Sequence, residues 1–251
     1  MKSFSISILM LALCGSAFAQ SIKIAPVIGP GVTVPMLSTA LKNLYTDGFL
    51  EDYLDDYDLS SKGTFPPFAG FQAGALVDYG ISEKISLQSG LMFNVKGLTY
   101  KLKANFTDWE GDVQSLKAKT THSITYLEIP VWFSFRLGDS GFKIIAGPGF
   151  NFAVGAKAKS KYSGGGESGS ETEKLDIGTD PDFDSVKPFD LNVNFSVAKE
   201  IPLGDRPLEI SLFAQPSVTK WMPMAKEDSD YFARHFTAGI RLAYFFTIKD
   251  Y

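Results

Sequence analysis

The side chains able to do chemistry are few. His122 and His235 are the only two histidines of the chain. A hydrolase acting on lipid or peptide needs a histidine within hydrogen-bond reach of a serine, so that the base can take the hydroxyl proton. His122 and Ser123 are adjacent, and adjacent residues of a strand point to opposite faces, so that pair fails. His122 and His235 sit on separate segments and supply two metal ligands at most, a poor zinc site. The run Asp180-Pro181-Asp182-Phe183-Asp184 has the alternating acids that open a calcium loop, without the glycine and the twelfth-position glutamate that complete one. Glu128, Arg136, Lys143, Asp190, Glu209 and Arg241 each occupy the polar phase of an alternating segment. They are readable as a catalytic or conduction path, but a narrow polar interior needs paired charges simply to be filled, because an unpaired buried charge is costly. The sequence therefore assigns no catalytic, cofactor-binding or metal-ligating residue and implies no cofactor.

These residues depend for their placement on alternating segments, of which the last is the clearest. Over residues 232–246 one phase reads Phe232, Arg234, Phe236, Ala238, Ile240, Leu242, Tyr244 and Phe246. The other holds Ala233, His235, Thr237, Gly239, Arg241, Ala243 and Phe245. A strand sends successive side chains to opposite faces, so one surface is apolar and the other polar or small. The apolar face is long enough to cross a bilayer as a tilted strand of roughly 9–11 residues, and it ends in aromatics where an interfacial girdle lies.

The chain start fits export. Lys2, an apolar run over residues 4–13 and Ala17-Phe18-Ala19 give the pattern of a cleaved signal peptide over residues 1–19. The single cysteine, Cys14, falls inside that leader, so the mature chain has no thiol for a disulfide or metal. At 251 residues the remainder fits one domain, residues 20–251. A hydrophobic fraction of 45% is what interleaved spans produce. The net charge of −4 argues against nucleic acid, which demands a basic surface.

Further alternating segments cover residues 22–34, 68–79, 84–100, 123–137, 142–155, 189–198 and 208–215. With the last segment they make eight in all. Pro26 and Pro30 remove ladder donors from the first and leave its register open. Connections alternate long and short, the long ones near 35–66, 101–121, 158–187 and 220–231. Even strand number with short turns at one end and long loops at the other is the rule for bacterial outer-membrane barrels. The sequence thus predicts an all-β fold: an eight-stranded antiparallel up-and-down transmembrane β-barrel, with an interior filled by side chains.

The phrases Tyr126-Leu127-Glu128-Ile129-Pro130, Ala146-Gly147-Pro148-Gly149 and Gly239-Ile240-Arg241-Leu242-Ala243-Tyr244 give the chain a resemblance to small outer-membrane β-barrel proteins of the PorT-like family. It extends over essentially the whole mature chain. It implies residence in the outer membrane, and the family's name-giving member is associated with secretion and gliding. The expected protein is a non-enzymatic, monomeric barrel of structural, adhesive or assembly role. Its expected partners are outer-membrane lipids and proteins met by its outer loops. An outer-membrane enzyme acting at the rim and a soluble periplasmic ligand-binding barrel are the alternatives.

Overall fold

A computed structural model describes residues 21–43, 60–107, 113–164, 167–180, 182, 184–204, 206–222 and 231–250. The leader, the acidic run of residues 51–58 and most of the 220–231 connection lie outside the described residues.

The described residues are almost entirely strand. In order come β1 (Ser21–Leu37), a short helix α1 (Thr39–Asn43), β2 (Ser60–Thr64), β3 (Phe68–Gly80), β4 (Ile85–Thr107), β5 (Val113–Leu137) and β6 (Phe142–Gly164). They are followed by β7 (Glu167–Lys174), β8 (Phe189–Ile201), β9 (Leu208–Pro216), β10 (Ala233–Tyr244) and β11 (Phe246–Asp250). All the strands belong to one antiparallel sheet whose path runs β10, β9, β8, β6, β5, β4, β3, β1, β11. β1 pairs with β3 along one edge and with β10 and then β11 along the other.

This corrects the expected eight-stranded up-and-down barrel: the sheet has eleven strands, with β2 added on β4 and β7 on β6, off the main path. Three stretches expected as loops carry strand, the first being β2 inside the 35–66 connection. Residues 101–107 and 113–121 form the paired ends of β4 and β5, and residues 158–164 and 167–174 form the end of β6 and all of β7. In the ends of β4, β5 and β6 polar residues alternate with small or apolar ones, a pattern compatible with a strand that water bathes on one side, whereas β7 is polar and exposed along nearly its whole length. The last expected strand is also split. Phe245 leaves the ladder, donates its amide to Pro207 O at 3.0 Å and turns inward.

The sheet curls so that one face becomes an interior. Lys143, Asp190, Glu209, Arg241 and Glu128 are buried there, with Gln72, Gln88, Asn94 and Asn192. The opposite face is apolar and open: Ile28 is 59% exposed and Leu212 64%, alongside Phe71, Phe93, Phe133, Ile144, Phe195 and Ile240. A sheet with its polar side chains inside and its large apolar ones outside is built for a lipid solvent, in which every strand hydrogen bond must be satisfied within the protein. Pro26 and Pro30 both point outward, and the β1–β3 register runs unbroken from Ser21↔Gly80 to Thr33↔Phe68.

One irregularity re-aims a whole strand. Between β5 and β6, Thr125 pairs with Gly155 but Tyr126 pairs with Ala153, so Val154 is an extra residue on β6. Below this β-bulge the even residues of β6 point outward, as Ile144 and Phe152 do. Above it Ala156 is buried and Lys157, Lys159 and Lys161 are exposed.

Candidate functional site: the polar interior and its aromatic cap

The interior is organised in three levels. At the end of the short turns, Lys143 Nζ lies 2.5 Å from Glu200 Oε2 and 3.0 Å from Glu209 Oε2, and Arg136 Nη2 reaches both Glu200 oxygens at 3.3 Å. A cavity of about 520 Å³ opens there, lined by Asp78, Ser86, Arg136, Lys143 and Glu200 among others. Beneath it an apolar layer of Val27, Leu76, Met92, Trp132, Ile145 and Phe245 crosses the interior.

In the middle, Arg241 donates to Gln72 Oε1 at 3.2 Å and to Asn194 Oδ1 at 3.3 Å. Its guanidinium lies 4.3 Å from the Trp132 ring centroid and 4.7 Å from that of Phe213. A planar, weakly hydrated cation is suited to such a sandwich of rings and amides. Gln72 in turn donates to Gln215 at 2.7 Å. The Glu128 carboxylate accepts from the side-chain amides of Asn94 and Asn192. Gly149 is what leaves it room: a Cβ at that position would collide with the Glu128 carboxylate and the Asn192 amide.

At the long-connection end, Lys96 Nζ lies 3.2 Å from Asp190 Oδ2. Asp190 also accepts from Ser217 Oγ at 2.9 Å and Thr219 Oγ1 at 2.8 Å, so both carboxylate oxygens are occupied. Above this pair is an aromatic cap. Trp221 stacks on His235 with centroids 5.3 Å apart and planes 12° apart, His122 meets the same indole at 6.2 Å, and Tyr126 meets His235 edge-on. Leu41, Leu98, Ile124, Leu175 and Val186 complete the layer. The connection after β7 is drawn into it through the Ile177↔Val186 bridge and the bond from the Lys187 amide to Trp221 O.

The residues singled out in the sequence are therefore separated by role. Arg241 meets neither Glu128 nor Glu209 in an ion pair; Glu209 belongs to Lys143. His122 turns inward to Trp221 while Ser123 lines a groove on the outward face, so imidazole and hydroxyl stay apart. His122 and His235 both reach the cap, joined by Trp221 rather than by a shared ligand. Neither ring nitrogen of His235 has a hydrogen-bond partner among the described residues. In the acidic connection, Asp184 Oδ2 accepts the Asp180 amide at 2.8 Å and Asp180 Oδ1 the Asp182 amide at 3.0 Å. These carboxylates fold their own turn, as aspartates at turns do. Lys96 and Trp221 were not singled out in the sequence. Lys96 shares the polar phase of its strand with Gln88 and Asn94, a signal that was present. Trp221 lies outside any strand, where alternation is silent.

No curated protein matches the chain. Among solved structures it is similar to Ail, the attachment invasion locus protein of Yersinia pestis, with 10% identity, a TM-score of 0.33, 90% of this chain and 99% of that chain covered. It is similar to the outer membrane protein OprG of Pseudomonas aeruginosa, with 9% identity, a TM-score of 0.33, and 91% and 97% covered. It is also similar to the outer membrane protease OmpT of Escherichia coli, with 8% identity, a TM-score of 0.39, and 92% and 97% covered. The match to a family described as outer membrane protein beta-barrel domain spans residues 31–215. The chain belongs to that family, and it is an outer-membrane protein.

Proposed function

We propose that this is a non-enzymatic integral outer-membrane protein with a structural or surface role, acting through what it displays beyond the bilayer rather than through a channel or a reacting centre. One observation carries the reading: bonded polar side chains and two apolar layers fill the interior from the Lys143 cluster to the Trp221 cap. A carboxylate held by Lys96, Ser217 and Thr219, or one held by Asn94 and Asn192, is committed to holding strands together. The extended ends of β4, β5 and β6 with β7 supply a ribbon on which protein partners can be met. Kinship with the PorT-like group, and with it a secretion-associated role, is the narrower form of this proposal. It is supported by the strand phrases of β5, β6 and β10 alone.

The test is reconstitution. Proteoliposomes holding the purified protein are expected to exclude small sugars in a swelling assay and to release neither fatty acid from lipid A nor fragments from a peptide library. Solute entry would make it a channel, and turnover of either substrate would make it an enzyme.

A further inference from the structure

The outward face of the ribbon is a lattice of lysines. Across the strands Lys62 pairs with Lys103 and Lys103 with Lys117; one step lower Lys101 pairs with Lys119 and Lys119 with Lys161; lower again Lys157 pairs with Lys174. Paired residues in a sheet share a face, and like charges placed directly opposite each other destabilise it. The compensating acids are elsewhere: Glu171 and Glu173 pair with Ser160 and Ala158, whose side chains belong to the other face. None of these lysines takes part in an ion pair among the described residues. So many uncompensated cations on one face call for an anion from outside the chain.

Position says which anion. These lysines continue the same outward columns that carry Leu91, Phe93, Phe133 and Phe152 lower down. Val154, outward and 54% exposed, precedes Lys157 by three residues. At roughly 3.3 Å per residue and a tilt of about 45° that is a rise of about 7 Å, the depth of a headgroup zone above the hydrocarbon. Lys157, Lys159, Lys161 and Lys119 surround a groove of about 340 Å³ completed by Thr121, Ser123 and Phe68. Ammonium groups on flexible stems, two hydroxyls and an aromatic ring at its foot suit a phosphate on a lipid headgroup. The stems lie along apolar surface and the charged ends reach the phosphates. The bulge at Val154 is what brings the β6 lysines to this face; regular alternation from Phe152 would turn them inward.

We propose that this groove binds phosphate-bearing headgroups of the lipid leaflet around the protein, with Lys157, Lys159 and Lys161 of β6 and Lys119 of β5 as its cationic wall. The inference uses the outer-membrane placement and is independent of whether the protein is an enzyme or a channel.

Full-length protein in a non-ionic detergent, titrated with bisphosphorylated lipid A and read by native mass spectrometry, tests it. The same glycolipid stripped of phosphate and a soluble sulfated oligosaccharide are the comparators. Native protein is expected to retain the phosphorylated lipid, lose it with rising salt, and bind both comparators far more weakly. The triple change Lys157→Gln, Lys159→Gln, Lys161→Gln is expected to weaken binding on the order of a hundredfold, about fivefold for each lysine at a headgroup surface. The corresponding triple arginine variant is expected to keep it. Equal binding of the dephosphorylated lipid overturns the proposal, as does undiminished binding by the glutamine variant. Tighter binding of the soluble oligosaccharide overturns it in favour of a soluble ligand. The comparison of ligands on native protein decides the matter even where a variant folds poorly.

Discussion

Lys96 Nζ lies 3.2 Å from Asp190 Oδ2, with both side chains 1% exposed, and the two residues come from strands that are not neighbours in the sheet. The pair therefore spans the interior, tying β4 to β8. Its attraction opposes a large desolvation cost, so its net contribution is small, yet the loss of one partner strands the other.

Lys96→Met is accordingly expected to destabilise the protein by about 3–5 kcal/mol, the cost of leaving a buried carboxylate without its cation. Adding Asp190→Asn should recover most of that loss, since the amide keeps one oxygen for the Ser217 or Thr219 hydroxyl and carries no charge. Reversible denaturant unfolding in lipid vesicles measures both. An additive double variant would show that the pair is not coupled.

Ile240 and Arg241 differ by one residue and face different solvents. Ile240→Arg places a charge on the lipid side and should cost about 2–4 kcal/mol near the midplane. Arg241→Leu acts through the interior, leaving Gln72 Oε1 without its donor at about 1–3 kcal/mol, while Asn194 Oδ1 keeps the Ser196 hydroxyl. Glu209→Gln should not relieve it, because Glu209 stays with Lys143 at 3.0 Å. Relief by that second change in the same unfolding assay would show that the two charges depend on each other after all.

Alternation alone was enough to place Arg241, Glu128, Asp190, Glu209 and Lys143 on the inside, because a period of two does not depend on which strands are neighbours. Partners are another matter. Alternation puts Arg241, Glu128 and Glu209 on one face without saying that Arg241 meets Gln72 and Asn194, since which side chains converge across a curled sheet depends on register and curvature. The added strands escaped for a different reason. At residues 101–107 and 113–121 the outward phase is, but for Val113, lysine, asparagine, serine and threonine rather than apolar, so the contrast that marks a membrane span vanishes there. A single extra residue, Val154, also shifted the phase of β6, and lysines that read as loop became one wall of a groove.

The bulge makes a prediction of its own. Deleting Val154 removes the extra residue and leaves Asn151 inward and Lys157 outward, so the protein is expected to fold with a modest loss. Deleting Ala158 reverses Lys159 and Lys161 against an unchanged lower strand, because a one-residue slip flips every side chain beyond it. That variant should lose its heat-modifiable migration in detergent gels or expose an unpaired ribbon to protease. Equal behaviour of the two deletions would show that the phase of β6 above the bulge does not matter.

The direction of the protein in the membrane is the last expectation. The ribbon and the aromatic cap lie at one end of the sheet, and the tight turn at Gly138–Ser140, closed by Gly141 in the left-handed conformation (φ 73°), lies at the other. Outer-membrane proteins put short turns in the periplasm and long excursions outside. With Cys14 changed to alanine no other cysteine remains in the chain, so single reporters can be placed freely. Ser115→Cys, on an exposed position of β5, should react with a membrane-impermeant maleimide on intact cells. Asp139→Cys, in the tight turn, should react only after the outer membrane is permeabilised. The opposite pattern would invert the topology and move the lysine groove to the periplasmic leaflet, where lipid A is not its neighbour. The native-protein binding comparison and the labelling experiment therefore constrain each other: a lipid A preference together with an inward-facing Ser115 reporter would require two incompatible orientations of one sheet.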